Sequence, residues 1–317
     1  MKHNRLQNKV AGSVFTLPVC AVIATALWWL PEQTFSVRHI LGLALCFLTT
    51  YIITETNTRL HIIRSRTQMM SCVWLVLAAS LSFMHPMGEP LIAAALLCVG
   101  YLLLFNCYQR HRPQLLVFHV FLFLGIGGFF APVMLLMAIP FFFYLTVFFR
   151  SLTIKAFWAG ILGLIVPYWC YAAWCFITNN LQDFAGRMSE MAQFEMPSTE
   201  AFLSLPFAWQ ASAAIIALLS IVSIIHFLRT KYDDKIRVRM ILYIYIMQTL
   251  LMMAFLVLQP AHYQTTMALI IVSACPLIAH FFALSGSIVT NLFFVLSLLL
   301  TAAMAVLNLW MTSFNIS

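Results

Sequence analysis

Residues 207–258 read FAWQASAAIIALLSIVSIIHFLRTKYDDKIRVRMILYIYIMQTLLMMAFLVL. Phe207 to Leu228 carries no Asp, Glu, Lys or Arg, and neither does Met240 to Leu258. Each run matches the roughly 20 residues that a helix needs to cross a hydrocarbon core of about 30 Å. Between them, residues 229–239 hold Arg229, Lys231, Lys235, Arg237 and Arg239 beside Asp233 and Asp234. The runs are continuously apolar and do not alternate, so spanning strands are excluded. Two membrane helices joined by a short basic loop is the only economical reading. It sets the fold class for the rest of the chain.

The same pattern extends in both directions. Apolar runs recur at about 11–30, 38–56, 69–85, 90–107, 115–130, 131–149, 156–178, 264–284 and 287–312. With the two quoted above, they predict an all-α, polytopic transmembrane helical bundle of about eleven spans, filling 1–317 as a single integral membrane domain. Composition agrees: 63% of the residues are hydrophobic and 8% are charged, where a soluble surface uses about 25% charged residues. The first run follows Lys2, Arg5 and Lys9 and ends in Trp-Trp-Leu-Pro rather than at a small-residue cleavage site, so it is read as an uncleaved span.

Orientation follows from the cations. If the N-terminus is cytoplasmic and the spans alternate, segments 2–9, 59–66, 110–112, 150–155 and 229–239 all face the cytosol. They hold fifteen of the seventeen Lys and Arg residues, leaving only Arg38 and Arg187 outside. That is the positive-inside pattern. It accounts for the net charge of +8 without nucleic acid, and it makes membrane lipid the expected partner. The expected location is a cytoplasmic (inner) membrane. The eight cysteines show no Cys-x-x-Cys and no metal-ligand spacing; no cofactor or metal is expected.

Two segments break the regularity. Residues 115–149 lie between basic pairs that both read as cytoplasmic, so the chain crosses an even number of times there. Thirty-five helical residues reach about 52 Å, slightly less than two full crossings need. A thin pair of spans or a re-entrant hairpin results, with Gly125, Gly127, Gly128, Pro132 and Pro140 expected to supply its turn. Residues 179–206, placed on the periplasmic side, carry Leu181, Phe184, Met188 and Met191 at helical spacing with Ala185 and Ala192. Gln182, Asp183, Arg187, Glu190 and Gln193 fill the other face, which predicts an amphipathic surface helix. A second short helix is expected from Pro197-Ser198-Thr199-Glu200.

Ionisable groups inside spans are costly and mark function by default. The intramembrane polar candidates are Glu55, His119, Gln248, His280 and Asn291. Glu55 is an ion site or an interfacial partner of Arg59 one turn on. His119 and His280 both fall in cytoplasmic halves, in positions to face each other. Gln248, Asn291 and Asn308 read first as hydrogen-bonding glue between helices. No carboxylate stands at mid-membrane, which weighs against proton-coupled transport, and no nucleotide-binding or hydrolase motif is present. On the outer helix, Asp183, Arg187 and Glu190 are the candidates for group transfer: a carboxylate as base, an arginine for a lipid diphosphate. The alternative there is a surface helix with one ion pair.

The residues around Asn57–Arg59, with the stretch from Arg110 to Phe149 and its Phe-Phe-Ala-Pro and Ile-Pro-Phe-Phe-Phe-Tyr runs, resemble a family of uncharacterised multi-spanning inner-membrane proteins of Bacteroidota. The resemblance implies a bacterial inner membrane and transfers no site. The layout is also similar to lipid-linked sugar polymerases and ligases, which have larger outer loops and more outward arginines. Three functions follow as expectations. One is a protein that handles or translocates a hydrophobic or lipid-linked cell-envelope molecule, with 115–149 as gate. Another is a lipid-linked glycosyltransferase-like enzyme at the periplasmic face. The last is a membrane scaffold or assembly partner of other envelope proteins, docking through 179–206.

Overall fold

The computed structural model describes residues 5–30, 36–191 and 199–314, and among them every regular element is helical. In chain order these are α1 (Leu6–Gly12), α2 (Thr16–Trp29), α3 (Val37–Leu60), α4 (Met69–Ala79), α5 (Glu89–Phe105), α6 (Gln114–Phe130), α7 (Val133–Leu136) and α8 (Ala138–Phe143). A π-helical turn (Tyr144–Phe148) follows, then α9 (Ile154–Ile177), α10 (Leu181–Met191), α11 (Thr199–Leu203), α12 (Phe207–Thr230), α13 (Ile236–Leu258), α14 (Tyr263–Leu284) and α15 (Ile288–Phe314). Among the described residues, six helices are individually long and apolar enough to cross a membrane: α3, α9, α12, α13, α14 and α15. The bent pair α1–α2 makes a seventh if counted as one span, and α4, α5, α6 and 133–148 are shorter apolar segments. The chain is therefore a multi-pass helical membrane protein.

The first apolar run is not one helix. α1 and α2 meet at 94°. The cause is local: Ser13 Oγ accepts the Phe15 N–H at 3.2 Å, and Thr16 Oγ1 donates to the Val10 carbonyl at 2.6 Å. Side chains thus take backbone groups that a continuous helix would use itself. The 69–85 run is likewise cut short. α4 stops at Ala79 after about 16 Å, and the chain continues through extended Leu81 and a 3-10 turn at Ser82–Met84.

α14 is the hub. It packs on α4, α5, α12 and α13, and only Gln264, Ala283 and Leu284 along it escape burial. A helix apolar on every side belongs in such a centre. Pro276 interrupts it, and the carbonyl of Val272, four residues earlier, accepts instead from the Cys275 thiol at 3.4 Å.

The glycines of 115–149 do a different job from the one expected. Gly125, Gly127 and Gly128 lie inside α6, and no described glycine has a positive φ. A Cβ on Gly125 would stand 2.7 Å from the Leu164 carbonyl oxygen, and one on Gly128 would stand 2.3 Å from the Tyr168 hydroxyl. They let α9 approach; the turn itself is made at Ala131 and Pro132.

Contacts sort the connections into two ends. At one end, Thr67 Oγ1 donates to the Ala11 carbonyl at 2.7 Å, and Arg64 lies 3.4 Å from Asp233. There too, Arg237 donates to the Phe105 carbonyl at 3.2 Å, the Gln109 N–H bonds the Phe149 carbonyl, and Gln7 donates to the carbonyl of Phe282 at 2.7 Å. At the other, the Met87 N–H bonds the Arg38 carbonyl, Tyr263 donates to the Trp209 carbonyl, and Asn308 donates to Ser212. The basic connections thus share one end of the bundle.

Candidate functional site

A wide, open pocket lies at the basic end. α3 ends at Leu60, and His61 turns the chain with φ of 49°. Asn57 then staples the loop: its Oδ1 accepts from the Ile63 N–H at 3.1 Å and its Nδ2 donates to the Thr67 carbonyl at 3.3 Å. Ile62 and Ile63 are buried as anchors, while His61, Arg64 and Arg66 remain exposed. Gly12, Ser13 and Val14 of the α1–α2 elbow close the opposite wall. The cavity volume is about 600 Å³, and no Asp or Glu lines it. Arg64 shares Asp233 through a half-exposed contact. Arg66 makes no ion pair among the described residues.

Next to it runs a narrow apolar crevice with a cavity volume of about 80 Å³. α2 contributes Thr16 and Cys20, α4 contributes Met69 to Leu77, and α15 contributes Phe294 to Thr301. Leu219, Ile278 and Phe282 line it from α12 and α14. Its three hydroxyls do not make it polar. Thr16 donates to the Val10 carbonyl, Ser297 to that of Phe294 and Thr301 to that of Ser297. Each donor is spent within its own stretch of chain, so carbon and sulfur face the crevice.

The polar candidates from the sequence are dispersed and do not converge. Glu55 pairs with Arg59 Nε one turn on. His119 bonds the Leu115 carbonyl of its own helix at 2.7 Å. It does not meet His280, whose Nε2 lies 3.0 Å from Asp234 Oδ2, with both side chains almost fully buried. Gln248 is fully buried in α13 and accepts from the Tyr144 hydroxyl at 2.9 Å, at the start of the π turn. Asn291 accepts from the Gln7 N–H at 3.1 Å. Of the outer trio, Asp183 is exposed and Arg187 donates to the Phe129 carbonyl at the C-terminus of α6. The Glu190 side chain lies outside the described ones, as do Ala192, Gln193, Pro197 and Ser198; α10 and α11 occupy the two helical segments expected there.

Arg237 and Arg187 share a role at opposite ends, each placing a cation on the last carbonyls of a helix. Trp28 faces the protein interior. It is fully buried, stacks on His85 at 4.6 Å and donates to the His39 carbonyl, whereas Trp174 and Trp310 are exposed.

Sequence reasoning passed over Asp234, Gln7 and Tyr144. The two aspartates of the basic loop are indistinguishable in the string, and only folding buries one. Gln7 had no signal in a short polar leader. Pro140 near Tyr144 was the one available hint of the irregular turn. No group of three or more His, Cys, Asp or Glu among the described residues is placed to hold a metal ion. No family model, curated protein or solved structure matches this chain.

Proposed function

We propose that this is a multi-pass protein of a bacterial cytoplasmic membrane that holds and handles a hydrophobic or lipid-linked envelope molecule, taking its apolar chain into the crevice between α2, α4 and α15. The crevice carries the reading. It is walled by carbon and sulfur, and its flanking helices expose Val19, Val22, Leu298 and Leu299 on their outer faces. An apolar recess open to bilayer is filled by chains of bilayer-like chemistry, because nothing polar in it rewards water.

The basic end is assigned to the cytosol by the positive-inside pattern. The short helices α4 and α5 each run between the two ends defined above, and α6 with 133–148 leaves the basic end and returns to it; counted as crossings with α1–α2 and the six long helices, these four make eleven. The α1 segment then lies along the inner surface, at 94° to α2.

The test is retention of lipid through purification. Leu298→Trp narrows the crevice at its partly exposed rim. The variant should remain monodisperse and keep several-fold less co-purifying lipid, read by mass spectrometry. Equal lipid content in the variant and the parent would overturn the reading.

A further inference from the structure

We infer that the pocket of His61, Arg64 and Arg66 holds the anionic phosphate headgroup of an amphiphile whose chain enters the adjoining crevice. This deepens the lipid-handling reading above and rests on it.

Adjacency is the first argument. Val10 and Thr16 line the crevice while Gly12, Ser13 and Val14, between them in the chain, line the pocket. On the facing side Met69 belongs to the crevice and Gln68 to the pocket. One elbow and one loop therefore form the border of both spaces, and the Thr67–Ala11 hydrogen bond joins them. A molecule with a polar head and an apolar tail has both halves provided for at one place.

Charge is the second. The pocket has two guanidinium groups, one imidazole and no acid among its lining residues. Guanidinium forks match phosphate oxygens bidentately, and such charge-assisted bonds are stronger than neutral ones. Arg66 has no ion pair to give up among the described residues, and the Arg64–Asp233 contact at 3.4 Å is half-exposed and exchangeable. α2 and α4 both begin at this pocket, with Gln68 as the residue before α4, so their positive dipole ends add to the field. α3 ends there with the opposite sign, and the Asn57 carbonyl, in its last turn, is already taken by the His61 N–H.

Location is the third. Cationic pockets between helices on the cytoplasmic side face the leaflet that carries anionic lipid. A merely solvated basic surface would orient the chain equally well. It would not select one headgroup over another.

The experiment uses the full chain, stripped of lipid in detergent. It is titrated with phosphatidylglycerol, with phosphatidylcholine and diacylglycerol of the same acyl chains, and with inorganic phosphate, and is read by native mass spectrometry and thermal shift. Phosphatidylglycerol should bind about tenfold more tightly than diacylglycerol, which lacks the phosphate, and more tightly than phosphatidylcholine, whose choline cation the arginines repel. Arg66→Gln should remove most of that preference, and Arg59→Gln, outside the pocket, should keep it. Arg66→Lys retains charge without the fork and should fall between, which secures the comparison if the Gln variant does not fold. Equal affinity for the three lipids overturns the headgroup site and leaves the crevice standing. Retention of no lipid at all sinks both readings. Stabilisation by inorganic phosphate as large as by phosphatidylglycerol overturns the lipid assignment in favour of a free anion.

Discussion

Asp233 and Asp234 are chemically identical neighbours with opposite surroundings. Asp233 meets Arg64 with both side chains about half-exposed, whereas Asp234 and His280 are together shut away from solvent. An exposed pair contributes at most about 1 kcal/mol. Removing one partner of a buried hydrogen-bonded pair costs about 1–3 kcal/mol, because the other group is left buried and unsatisfied. Asp233→Ala should therefore leave the unfolding midpoint in detergent nearly unchanged, and Asp234→Ala should lower it markedly. Equal small effects would show that the inner loop is not docked on α14. Gln248 sits deeper, but interhelical hydrogen bonds in membranes average only about 0.6 kcal/mol. Gln248→Leu is accordingly expected to cost less than Asp234→Ala in the same melt. At this scale the sequence marked Gln248 and His280 as unusual and gave no means of finding Tyr144 or Asp234 as their partners. Those partners lie 104 and 46 residues away.

Among the elements, α6 and α9 make the most extensive pair in the molecule. Their closeness depends on Gly163, where a Cβ would stand 2.2 Å from the Phe118 carbonyl oxygen of α6. That neighbour is backbone and cannot step aside. Gly163→Val is expected to separate the helices and sharply reduce the yield of folded protein, measured as monodisperse material after extraction; unchanged yield would refute the close contact. By contrast, a Cβ on Gly100 meets nothing within 4 Å, so Gly100→Ala should be tolerated. That α9 carries glycines at 160 and 163 is visible in the sequence. Which glycine faces which helix is not. Gly42 shows the same principle at the other end, where the Cβ position lies 2.2 Å from the His85 carbonyl oxygen. There the absent side chain admits the loop between α4 and α5.

For the whole molecule, the contacts gather segments 59–67, 105–112 and 231–237 at one end, remote from Thr178 after α9. In a cysteine-free background, Thr178→Cys should react with an impermeant maleimide added to intact cells. Tyr232→Cys, exposed at the basic end, should react only after permeabilisation. The reverse pattern would invert the orientation and place the headgroup pocket on the outer leaflet. The pocket and crevice exist only at this scale, since their walls come from seven helices and two connections spread from Val10 to Thr301.

By itself the sequence determined the solvent. A chain with 8% charged residues and long uncharged runs has nowhere stable to sit but lipid, and its cations fix one end of the bundle. It could not rank the helices: α14 and α15 are almost equally apolar, with mean hydropathies of 2.3 and 2.4, yet 89% of one window is buried and 33% of the other. In a membrane, lipid-facing and protein-facing surfaces have the same polarity, so the pattern that separates inside from outside in water is lost. Shape decides instead. Where glycines admit a neighbour, where Ser13 and Thr16 bend the first helix, and where Asn57 folds a loop around two arginines are matters of packing that only the tertiary structure settled.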